Sequence, residues 1–65
     1  MRFELKAEYE WRTVLLWHIV WAGGSASLCG APLAPTTQTR PITDLDRLPR
    51  GDLCVRCSVR YPPGP

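Results

Sequence analysis

The chain has one histidine, three cysteines, one methionine and one lysine in 65 residues, and these shortages narrow its chemistry. A single histidine with no adjacent acid pair, and no serine partner for it, removes the usual acid–base and nucleophilic constellations. No glycine-rich stretch suits the cradling of a phosphate. The longest apolar run, residues 13–22, falls well short of the roughly 20 residues that a membrane-spanning helix needs. An odd cysteine count fits poorly with an oxidised scaffold, which pairs its cysteines. The formal charge is only +2, lower than a dedicated polyanion binder usually carries. At this length there is room for one small domain whose hydrophobic core is marginal without a staple. An enzyme is not expected.

What is present turns four of these scarce residues into an asset. His18, Cys29, Cys54 and Cys57 form a complete Cys3His donor set, one of the closed tetrahedral combinations of structural zinc. Cys54 and Cys57 make a C-x2-C pair, the spacing of a tight turn that directs two thiolates to one ion. The other two ligands follow from register. Gly23-Gly24 is a hairpin signal, and a turn centred there pairs residues whose numbers sum to 47, as 18 and 29 do. Cross-strand partners share a face with Cβ atoms about 5 Å apart, close enough to hold one ion between them. A turn two residues longer about the same centre keeps that register. Zinc, one per chain, is therefore the expected cofactor. Iron–sulfur ligation, a redox role for the C-x2-C pair, and a packed core role for His18 are the alternatives. Structural zinc contributes on the order of 10–16 kcal/mol in small peptides, so metal binding and folding should be nearly one event.

Residues 1–12 alternate strictly, with Met1, Phe3, Leu5, Ala7, Tyr9 and Trp11 on one face. Arg2, Glu4, Lys6, Glu8, Glu10 and Arg12 take the other, predicting a strand with one packed and one wet face. Residues 13–21 are apolar on both faces and rich in β-branched and aromatic types, which predicts a central strand. A bend or bulge is expected near residues 10–13, since one unbroken strand would be too long for this chain. Residues 25–29 should return as the partner strand, with Gly30 easing the backbone past the metal. Residues 31–41, rich in proline and threonine, read as an irregular loop. Thr43 is a candidate helix cap with Asp46 three residues on, Pro49 ends that turn, and residues 58–61 suit another helical turn. Residues 1–61 then form one mini-domain and 62–65 a proline-rich tail.

Seven of the eight basic residues are arginine, and Arg47, Arg50, Arg56 and Arg60 gather around the second ligand pair as candidate phosphate contacts. Asp44, Asp46 and Asp52 are interleaved with them and dilute the field. Trp11, Trp17 and Trp21 exceed what so small a core readily buries and are the candidate partner surface. A protein partner or homodimer is thus ranked above nucleic acid, with neither membrane nor small-molecule substrate expected. Glu4, Glu8 and Glu10 spoil a secretory start, and reduced thiols suit the cytoplasm.

Three segments carry a family resemblance: Trp17-His18-Ile19-Val20, Ser27-Leu28-Cys29-Gly30 and Leu53-Cys54-Val55-Arg56-Cys57, followed by Tyr61. Together they resemble the small zinc-finger-like proteins of actinobacteria and their phages. The resemblance spans residues 17–61 and implies a small, mainly β, zinc-ribbon-like fold. In it a metal-stapled hairpin or three-stranded sheet carries a long irregular loop and one or two short helical turns. It implies no substrate and no partner.

Overall fold

The computed structural model describes residues 2–61. The expected tail at 62–65, and Met1 on the apolar face of the first strand, lie outside the described residues. Strand β1 runs from Phe3 to Glu10, β2 from Thr13 to Trp21 and β3 from Thr39 to Pro41. They form an antiparallel sheet in the order β2-β1-β3. Two short 3-10 turns follow, Ile42–Arg47 and Arg50–Asp52, and then one helix, α1, Val55–Arg60.

The bend expected near residues 10–13 is a full reversal. β1 and β2 form a hairpin closed by Trp11 and Arg12, with Glu10 opposite Thr13 and Lys6 opposite His18. Trp11 takes a φ of 60°, a conformation that glycine or asparagine would enter at less cost. The register slips between Glu8 and Tyr9, which pair with Leu16 and Val14, so Leu15 has no partner and the ribbon gains a bulge. β1, not β2, is the central strand. Its second neighbour comes from the segment expected to be irregular, since Thr39–Pro41 pairs with Lys6, Leu5 and Glu4. Unsatisfied backbone groups along β1's free edge explain this addition, and Pro41 sits at the strand's end, where a missing N–H costs least.

The return of residues 25–29 is shorter than expected and is held by single bridges, yet its register is the expected one. Val20 bridges Ser27, and the Leu28 N–H donates to the Ile19 carbonyl at 2.9 Å. The turn spans Trp21–Gly24, closed by the Gly24 N–H on the Trp21 carbonyl at 2.8 Å, with Gly23 at φ 81°. The longer connection leaves the pairing centre unchanged. Gly30, at φ 91°, makes the further reversal expected of it.

Leu5, Ala7, Trp17, Ile19, Cys54 and Cys57 form the buried cluster, with Ile42, Leu45, Leu48, Leu53 and Tyr61 packed against it. Leu5 and Ile19 are fully buried cross-strand partners, each worth about 1.5–3 kcal/mol of transfer free energy. The opposite face of β1 is not wet at its middle. Lys6 is 4% exposed, and its ammonium donates to the carbonyls of Pro35 at 3.1 Å and Thr37 at 3.4 Å. The strict alternation misleads here because the 31–38 loop folds over the polar face. Tyr9 and Trp11, assigned to the packed face, are exposed instead, because the hairpin tip projects beyond the core. The cap assigned to Thr43 is also corrected. The first 3-10 turn starts at Ile42 after Pro41 with no side-chain cap, while Leu48 ends it just before Pro49 as expected.

A candidate metal centre at the edge of β2

Two backbone hydrogen bonds on the outer edge of β2 assemble the site. The Ile19 carbonyl holds Leu28, and the Trp17 carbonyl accepts from the Cys54 N–H at 2.9 Å. Alternate carbonyls of a strand point to the same side, so both cysteine-bearing arms dock on one edge, on either side of His18. The parallel bridge between Trp17 and Leu53 fixes the second arm. Beyond it Cys54 serves as the N-cap of α1, which sets Cys57 one turn later facing the core. The helix is thus longer than the single turn expected at 58–61 and begins inside the C-x2-C pair.

The four donors meet. One ligand atom from each of His18, Cys29, Cys54 and Cys57 lies within 4.8 Å of all the others. His18 Nδ1 is 3.5 Å from Cys29 Sγ and 3.5 Å from Cys57 Sγ. Bonds of about 2.0–2.1 Å to nitrogen and about 2.3 Å to sulfur, set at the tetrahedral angle, separate those atoms by about 3.5 Å. The two distances therefore match edges of a tetrahedron around one ion. All three cysteines are free. His18 is 3% exposed, Cys54 and Cys57 are buried, and Cys29 is half-buried at the rim. The donor set, the burial and the spacing fit a single enclosed metal ion. A cluster with several irons would hold its ligands further apart.

The thiols already bear the marks of crowding. Burial pushes the Cys57 thiol up to about 11, and the neighbouring Cys54 adds to the rise. Burial also opposes ionisation of Cys29, but the Ser27 hydroxyl, the Ala31 backbone, Cys57 and His18 outweigh it and bring that thiol down to about 6. Ser27 Oγ lies 3.0 Å from Cys29 Sγ and 2.8 Å from the Ala31 carbonyl, and its single proton serves one of them at a time. Three thiolates in one pocket repel each other, and a divalent cation relieves that repulsion.

Two residues that contribute here were not singled out from the sequence. Ser27 had no visible role. Glu8, read as facing water, places Oε1 2.6 Å from His18 Nε2. It pairs with Leu16, which puts it diagonal to His18 on the same face, within reach of a long side chain. Only the β1–β2 register reveals this neighbour.

The remaining candidates fall elsewhere. Arg47, Arg50, Arg56 and Arg60 are all exposed, and Arg56 and Arg60 lie four residues apart on α1. Among the described residues, the arginine that forms an ion pair is Arg40, which reaches Asp44 at 3.1 Å and lies 5.3 Å from the Trp17 ring centre. Of the three tryptophans, Trp17 is buried in the core and offers a partner nothing. Trp11 is 94% exposed, and Trp21 is half-exposed and stacked on Phe3 at 4.5 Å. No helix among the described residues is long and apolar enough to cross a membrane. Comparison with family models, with curated proteins and with solved structures finds no match to this chain.

Proposed function

We propose that the chain is a structural-zinc binding module of zinc-ribbon-like type, acting as a small protein-interaction adaptor or regulator in the cytoplasm. The convergence of His18, Cys29, Cys54 and Cys57 within 4.8 Å carries the reading. Zinc is favoured over other ions because three thiolates and one imidazole suit it, and because it tolerates a tetrahedron with no redox demand. Four protein ligands close the site and leave no position for activated water, so the metal's role is structural and the protein is not an enzyme. The resemblance to the actinobacterial and phage zinc-finger-like proteins rests on the three ligand segments and agrees with this role.

Support for a protein partner or homodimer comes from the hairpin tip. An exposed tryptophan in a left-handed conformation lowers stability without packing against anything, an expense that a contact surface would explain. Nucleic-acid binding through Arg47, Arg50, Arg56 and Arg60 is the alternative, supported by the exposure of all four. The test of the module itself is metal analysis of natively purified protein alongside a Cys54→Ser variant. One zinc in the wild type and none in the variant is the expected result. The absence of bound metal from a folded wild type would overturn the reading.

A further inference from the structure

We propose that Glu8 is the outer carboxylate of the metal centre, a positioning residue that fixes the tautomer of His18 so that Nδ1 is the ligating atom. The inference rests on the metal-binding reading above. Neutral imidazole carries one proton, and the nitrogen that holds it cannot bind a metal. Glu8 Oε1 stands 2.6 Å from His18 Nε2, a separation typical of a hydrogen bond to a charged acceptor. That contact keeps the proton on Nε2. It leaves the lone pair on Nδ1, the nitrogen 3.5 Å from the sulfurs of both Cys29 and Cys57. Both ring nitrogens are then occupied, one by the carboxylate and one by the ion. The buried histidine has no unused polar atom.

The arrangement also orients the ring. His18 sits on β2 and Glu8 on β1, with the Lys6–His18 pair between Glu8 and the start of the strand. The hydrogen bond therefore ties the metal ligand across the hairpin to a second strand. Lys6, directly opposite His18, brings a cation to the same face, its ammonium held by the Pro35 and Thr37 carbonyls. A carboxylate there also raises the basicity of the ligating nitrogen. Carboxylates of this kind orient first-shell histidines in many metal sites, and their removal typically lowers metal affinity about 10–100-fold.

Because the chain contains a single histidine, ring-nitrogen NMR of histidine-labelled, zinc-loaded protein reads the tautomer without assignment. The expected spectrum has a protonated Nε2 and a metal-bound Nδ1. Chelator competition should show Glu8→Leu binding zinc about 10–100-fold more weakly. Glu8→Gln, whose amide oxygen still accepts from Nε2–H, should recover most of that loss, and the exposed Glu10→Gln should match the wild type. A metal-bound Nε2, or a Glu8→Leu affinity equal to wild type, would overturn the proposal while leaving zinc binding intact. If Glu8→Leu fails to fold, the wild-type tautomer alone decides. A wild type that takes up no zinc would end both readings.

Discussion

His18 and Cys57, 39 positions apart in the chain, meet with Nδ1 3.5 Å from Sγ in the buried centre of the molecule. That contact joins the N-terminal hairpin to the only α-helix among the described residues, and Cys29 joins it from the connecting loop. The buried cluster that links these parts has six residues, two of them the cysteines themselves. On the proposed reading, a shared ion is the staple that so small a core requires.

The first expectation concerns the ligands. Cys29→Ser and Cys54→Ser should each abolish zinc retention and cooperative unfolding, measured by native mass spectrometry and urea titration. His18→Ala should be milder, because water can take the vacated position. Unfolding curves identical to wild type in both cysteine variants would show that the metal does not hold the fold.

A second expectation separates the two faces of β1. Leu5 is fully buried, so Leu5→Ala should cost about 2–5 kcal/mol in zinc-loaded protein. Lys6 alternates with Leu5 and reads as a surface residue, yet it is buried and serves two loop carbonyls. Lys6→Met should cost about 1–3 kcal/mol, since the Pro35 and Thr37 carbonyls lose their donor. A neutral Lys6→Met would mean that the 31–38 loop does not close over this face.

Zinc affinity should depend on pH in a stated direction. Cys57, pushed up to about 11 by its folded surroundings, keeps its proton at neutral pH without metal, as an ordinary thiol of an unfolded chain also does, and binding must expel it. Apparent affinity should therefore rise by at least about one log unit per pH unit near pH 7. Chelator competition between pH 5 and 8 measures the slope, and a flat profile would contradict this account.

Trp11 offers a test of the adaptor reading that avoids the metal. Relieving its φ of 60° by Trp11→Gly should leave stability unchanged or raise it by up to about 1 kcal/mol. The same variant should weaken self-association or partner binding in sedimentation experiments. Should nucleic acid be the partner instead, binding would weaken steeply with salt. Replacing Arg56 and Arg60 together would then reduce the log–log slope by about two units.

The candidate metal centre was more legible in the sequence than the sheet that carries it. Cys54 and Cys57 announce themselves by spacing, and the pairing of His18 with Cys29 follows from the centre at Gly23-Gly24. That register survives at Val20 and Ser27 although the turn is longer than two residues. The β1–β2 hairpin was hidden because Trp11-Arg12 carries none of the glycine or asparagine that marks such turns. β3 was hidden because threonine and proline at 39–41 read as loop, and only β1's open edge recruits them. Glu8 and Lys6 were read as solvated because period-two alternation marks a polar face without revealing what covers it.

The most direct test of the central claim is the metal content of the native protein by mass spectrometry under non-denaturing conditions. The account predicts one zinc per chain, lost together with folded structure on chelation and regained on adding zinc back. A folded, metal-free chain whose unfolding is indifferent to chelator would contradict it.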